Sequence, residues 1–111
     1  MAREKMYFSW EIPTSVVGMV NALCADYERR ARAVRSSSVT GAVLETYVQL
    51  NAVIDEALEE VEVGIRKDLL RDISEGRGYA RSGAQLQVSK NTYYRRRRKL
   101  IHDIAKLLSL L

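Results

Sequence analysis

The 111-residue chain has one cysteine, one proline and one histidine, and no stretch of 18 or more consecutive apolar residues. A lone cysteine, Cys24, cannot close an internal disulfide and fits a reducing compartment. The absence of a long apolar run leaves nothing to span a bilayer. Residues Met1 to Trp10 have a charged start but no apolar segment behind it, so they do not read as a secretory signal and the expected location is the cytoplasm. Strand signals are scarce and Pro13 is the only proline, which makes an all-α chain the natural expectation. Gly76-x-Gly78 and Gly83 lack the Gly-Lys-Ser/Thr ending of a phosphate loop. The sole histidine, His102, has no serine–carboxylate or cysteine constellation around it, so the chain does not read as an enzyme and no cofactor is implied.

What is present is charge, unevenly placed. Residues 1–65 hold six Lys/Arg and ten Asp/Glu, a balance of −4, whereas residues 66–111 hold twelve and four, a balance of +8. Such asymmetry suggests a polyanion-binding half joined to a half with another task. Basic charge alone identifies phosphate as a partner class and says nothing of sequence preference.

Helical periodicity divides the first half into two long segments. From about Pro13 to Val34 the apolar positions Val16, Val20, Leu23, Tyr27, Ala31 and Val34 recur at spacings of three and four, with Thr14 or Ser15 as cap. Arg35-Ser36-Ser37-Ser38 interrupts that pattern and offers a new N-cap. A second segment, about Val39 to Ile65, carries Val43, Tyr47, Leu50, Ile54, Ala57 or Leu58, Val61 and Ile65. Two such helices predict a long antiparallel hairpin over residues 1–65, a candidate for oligomerisation or partner contact. A further helix, Arg66 to Ser74, continues with little more than Gly64 to weaken the join, and Gly76 or Gly78 can end it at positive φ. A short helix near Ala80–Leu86, a turn at Gln87-Val88-Ser89 and a last helix from Lys90 complete the 66–111 unit.

That last helix carries five consecutive cations, Arg95 to Lys99, and then an apolar stripe of Leu100, Ile101, Ile104, Leu107 and Leu108. A capping serine precedes it. Gly83, Leu86, Val88, Ser89, Thr92 and Tyr93 match the small-x-x-Leu-x-Val-Ser and following Thr pattern of a helix-turn-helix, in which the second helix crosses the first at a steep angle. The candidate DNA-binding residues are Ser89, Lys90, Asn91, Tyr94, Arg95, Arg96, Arg98 and Lys99. Asn and Arg can read adenine and guanine edges in the major groove, while Arg96 and Lys99 point sideways and suit phosphates.

Val88-Ser89, the run from Thr92 to Leu100 and Ile104-Ala105 resemble the phage transcriptional activators of the RinA and ArpU type, whose C-terminal half is a helix-turn-helix like region four of sigma factors. The likeness covers roughly residues 66–108. It implies a phage or prophage DNA-binding regulator in a bacterial host, acting on double-stranded DNA by insertion of the 90–99 helix into the major groove. A homodimer, and contact with RNA polymerase through the hairpin, are the partners expected. Arg97 stands where many sigma-like members place leucine, so it must snorkel or pair with an acid such as Asp103 or Asp72. Gly83 and Gln87 stand where the pattern usually has alanine and glycine.

Other features read more simply. Asp55, Glu59 and Glu62 share one side of the second segment and, with no histidine near, read as a solvated face or a contact for a basic surface rather than a metal site. Tyr27 and Tyr47 fall on apolar stripes, while Tyr94 is the tyrosine best placed to meet a base. The aromatic Tyr7, Phe8 and Trp10 suggest that the N-terminal arm docks on a neighbouring helix or subunit. A second functional class remains, a small-terminase-like DNA-packaging subunit that oligomerises through its hairpin. A third is an anti-sigma or polymerase-interaction protein whose basic helix contacts protein.

Overall fold

Residues 11–80 and 88–111 are described by the computed structural model, and among them the chain is helical with no strand. The elements run α1 (Thr14–Ala25), α2 (Tyr27–Arg35), α3 (Gly41–Leu58), α4 (Val63–Glu75) and α5 (Lys90–Leu107). Among the described residues no helix is long and apolar enough to cross a membrane.

The single first helix expected over 13–34 is two helices, broken at Asp26. The cause lies in a side chain further along. Arg30 is 2% exposed, and its Nη2 donates to the Leu23 carbonyl at 2.6 Å. In an uninterrupted helix that carbonyl would serve the N–H of residue 27. Neither Thr14 nor Ser15 caps α1: Pro13 holds the cap position and its carbonyl accepts from the N–H groups of Val16 and Val17, each at 3.0 Å. The serine run closes α2 rather than opening α3, with the Ser38 N–H reaching back to the Ala33 carbonyl at 3.1 Å; Thr40 is the cap residue of α3.

The second segment also ends earlier than its stripe. α3 stops at Leu58, residues 59–62 turn, and Gly64 lies inside α4 instead of at the join. Arg66 stabilises this turn by donating from Nη2 to the Val61 carbonyl at 2.8 Å and to the Glu59 carbonyl at 3.4 Å. Orphan carbonyls at a helix end need such partners. Gly76 ends α4 at φ 67°, and the Arg77 N–H bonds the Asp72 carbonyl at 2.8 Å, the six-residue closure of a Schellman turn.

α2 and α3 run in opposite directions, as their bonds show. Tyr27 donates to Asp55, Arg30 Nε to Asn51 Oδ1 at 2.7 Å, and Arg29 Nη1 to the Tyr47 hydroxyl at 3.1 Å. α1 lies instead against α4 and α5, and α3 also touches α5. Helices from both halves of the chain therefore build one core: Val16, Val20 and Cys24 of α1 share it with Ile54 and Leu58 of α3, Leu69 and Ile73 of α4, and Leu100, Ile101 and Ile104 of α5. Ser74 of α4 fastens α1 through a hydrogen bond to the Cys24 carbonyl at 2.9 Å. Burial pushes the Cys24 thiol up to about 12, against the opposing pull of the Arg30 and Arg97 charges, so it stays protonated and unreactive at neutral pH.

Val43 and Leu107, both expected on the apolar seam, are exposed. α5 is antiparallel to α3. Arg96 near its start meets Glu62, while Lys106 and Leu107 at its end flank the same hollow as Glu56. Its end thus lies level with Glu56 in the last turn of α3, while Val43 stands near the opposite end of that helix and stays exposed.

Replacing Gly76 with Ala forces a side chain into a left-handed position and should cost about 1–2 kcal/mol. Chemical denaturation of G76A beside the parent protein measures it; an unchanged midpoint would show that the α4 end relaxes without cost.

Candidate nucleic-acid interface

The interface is built on the first half of α5. Ser89 adopts extended backbone and its hydroxyl accepts from the Thr92 N–H at 3.1 Å while donating to Thr92 Oγ1 at 2.9 Å. This is the cap that the Ser-x-x-Thr spacing predicts, and it satisfies one of the orphan N–H groups at the positive end of the helix dipole. Residues 81–87 lie outside the described residues, and with them most of the short helix expected near Ala80–Leu86 and the roles expected of Gly83, Leu86 and Gln87. Tyr79 and Ala80 on their near side are helical, and Val88 and Ser89 on the far side are not.

Rotation of α5 about its axis is set by a buried polar chain. Asp72 of α4 is 0% exposed, as is Tyr93 of α5. The Tyr93 hydroxyl donates to Asp72 Oδ2 at 2.8 Å and accepts from Arg97 Nη1 at 2.9 Å. The same guanidinium nitrogen bonds the Arg77 carbonyl just beyond the end of α4. Arg97, expected to snorkel or pair with Asp103 or Asp72, thus reaches Asp72 by way of the Tyr93 hydroxyl, a task that the pattern match of Tyr93 did not reveal. The available signal was Asp72 itself, three residues after Leu69 and beside Ile73 on the apolar side of α4.

Around this chain three tyrosines interlock. Tyr79 and Tyr93 meet edge to face at 5.6 Å between ring centres, and Tyr93 and Tyr94 at 4.9 Å. The Tyr79 hydroxyl donates to the Val88 carbonyl at 2.8 Å, and the Tyr79 N–H donates to the Tyr94 hydroxyl at 3.1 Å. Tyr94 retains an exposed edge, but its hydroxyl braces residues 78–79. The approach uses the open space at Gly78: a Cβ there would lie 2.6 Å from the Tyr94 oxygen and would displace that hydroxyl.

The other predicted contact residues separate into groups. Lys90, Asn91 and Arg95 are exposed. Arg98 is half-buried. Arg96 donates from Nε to both carboxylate oxygens of Glu62, at 2.9 and 3.1 Å. Lys99 is paired with Asp103 at 2.7 Å, whose second oxygen lies 3.3 Å from His102 Nδ1. The two cations assigned to phosphates are thus held by the protein's own acids. Arg96 holds the Glu62 carboxyl below its ordinary range. The acidic row is accordingly not one uniform solvated face, since Asp55 accepts from Tyr27 and Glu62 grips α5. Among the described residues no group of three or more potential ligands could hold a metal ion.

Tyr93 and Tyr27 give the fold an alkaline limit. Burial first, then the hydrogen bond to Asp72 or Asp55 respectively, raises each hydroxyl from 10.0 to about 12. Between these values the unfolded chain binds fewer protons than the folded one, so stability falls as pH rises from about 10 to 12. Denaturation midpoints over that interval should drop less steeply for Tyr93→Phe than for the parent; parallel slopes would refute the assignment. Comparison of the chain with known protein families, characterised proteins and solved structures finds no match.

Proposed function

We propose that the protein is a DNA-binding transcriptional regulator of phage or prophage type, working as a binding protein in the bacterial cytoplasm rather than as an enzyme. α4, the segment from Tyr79 to Ser89, and α5 act as its helix-turn-helix, with α5 as the helix that enters the major groove. The observation carrying this reading is the rotational setting of α5. Tyr93 and Arg97 turn inward, and Lys90, Asn91 and Arg95 are exposed beside a capped helix start. In this mechanism Asn91 and Arg95 meet base edges through paired hydrogen bonds, while Lys90 and the free N–H groups at the Ser89 end hold phosphate.

A single small unit of this kind buries little surface on DNA, which favours a dimer. Val43 and Val48 on α3, each about half exposed (49% and 50%), offer apolar area for that purpose. The same area would serve a ring-forming DNA-packaging subunit, and stoichiometry separates the two: a dimer with a defined operator supports regulation, a ring supports packaging. Glu56, Glu59 and Glu60 remain exposed as an acidic surface for RNA polymerase.

Charge reversal of Arg95 to Glu should abolish duplex binding with the circular dichroism of the helices intact; unchanged affinity would remove this face from consideration. Asn91→Ala should cost about 1–3 kcal/mol at one operator position. Binding measured against a panel of single-base operator changes tests this, and an equal loss on every sequence would make Asn91 a backbone contact.

A further inference from the structure

We infer that Glu62 and Asp103 are specificity-determining residues of the interface, holding two phosphate-binding cations, Arg96 and Lys99, away from duplexes of arbitrary sequence. The inference rests on the DNA-binding reading and adds to it a built-in competitor for the phosphate backbone.

The geometry is that of an exchangeable clamp. Glu62 grips Arg96 with both oxygens across 34 positions of sequence, and both side chains keep access to water, 34% exposed for Arg96 and 55% for Glu62. Exposed pairs of this kind are weak enough for a phosphate to displace the carboxylate. Lys99 and Asp103 are one turn apart on α5 with the cation first, the less favourable order for such a pair on a helix.

The consequence follows from how the two kinds of contact depend on sequence. Phosphate contacts contribute equally to all duplexes, whereas base-edge contacts do not. A carboxylate that must be displaced before Arg96 or Lys99 can bind phosphate reduces the first contribution on every duplex. On non-specific DNA, where nothing else draws α5 in fully, the clamps stay closed. On a cognate site the Asn91 and Arg95 contacts hold α5 in place while the clamps exchange. The result is a larger ratio of specific to non-specific affinity.

The test uses the full chain, a random-sequence duplex and a salt titration. Each released cation that engages phosphate should steepen the dependence of log affinity on log salt by about 0.9. Glu62→Gln and Asp103→Asn should each show that increment and bind random duplex several-fold more tightly at low salt. Since the Glu62 side chain makes no capping bond to α4, the amide preserves the helix start. Two further variants guard the interpretation. Glu62→Gln combined with Arg96→Ala should return the slope to the parent value. Glu45→Gln, which removes the same charge from an exposed site on α3, should leave it there. An unchanged slope in Glu62→Gln and Asp103→Asn, or an equal rise in Glu45→Gln, overturns the inference. If the parent binds random duplex and Arg95→Glu abolishes that binding, such a result overturns the clamp alone. Absence of duplex binding by every variant and the parent overturns the DNA-binding reading and the clamp together.

Discussion

A carboxylate with no access to water is an expensive thing to place in a small helical core, and Asp72 is such a group. Its hydrogen bond from Tyr93, which is itself held by Arg97, couples it to a cation without bringing the guanidinium fully into the interior. Arg97 lies about 6.0 Å over the Tyr93 ring, so the ring face contributes to holding the charge as well. Tyr93 and Arg97 are one helical turn apart, and a residue midway between them points about 200° away from each. Arg95 is that residue. Fixing two side chains inward therefore dictates which ones α5 offers outward, and a satisfied buried network permits no gradual rotation between alternatives.

A second buried charge performs a comparable task at the junction of α1 and α2. Arg30 desolvates its guanidinium between α1, α2 and α3, and that desolvation lowers its pKa against the supporting charge of Asp26. The bonds to the Leu23 carbonyl and to Asn51 compensate the lost water. Asn51 in turn donates to the Tyr27 carbonyl at 3.1 Å. The break at Asp26 and the docking of α2 on α3 are thus one event. Without the bend, α1 and α2 would form a single rod, and α1 could not lie across α4 and α5 while α2 follows α3.

Local chemistry was readable where one residue type answers one geometric need. Ser89 with Thr92 marks a helix start, Gly76 marks a left-handed exit, and the spacing of Val16, Val20, Ile54, Leu69, Leu100 and Ile104 marks faces that become buried. What sequence could not show was fixed by partners distant along the chain. No glycine or proline interrupts the pattern at Asp26, because the interrupting group is the Arg30 side chain. The turn at residues 59–62 is hidden by Val61 and Ile65, which keep helical spacing through it and are both buried. The acidic row was visible as charge, yet nothing local reveals that Glu62 faces Arg96 rather than water.

The arginine run shows why a count of cations is a poor measure of an interface. Five consecutive positive residues occupy every azimuth of a helix within little more than one turn, so they cannot share one environment. Arg97 is drawn inward by Tyr93, Arg96 is held sideways by Glu62, Arg98 is half-buried, Lys99 is engaged by its neighbour one turn on, and Arg95 projects with Asn91. A helix of this composition gains its direction from the acids that meet it. Were Asp72 and Glu62 apolar, Arg97 and Arg96 would lack their compensation and the run would repel itself towards solvent on all sides. The acidic residues of the first half and of α4 are therefore part of the basic surface's construction, and the −4 and +8 halves of the sequence are best understood as two components of one electrostatic device.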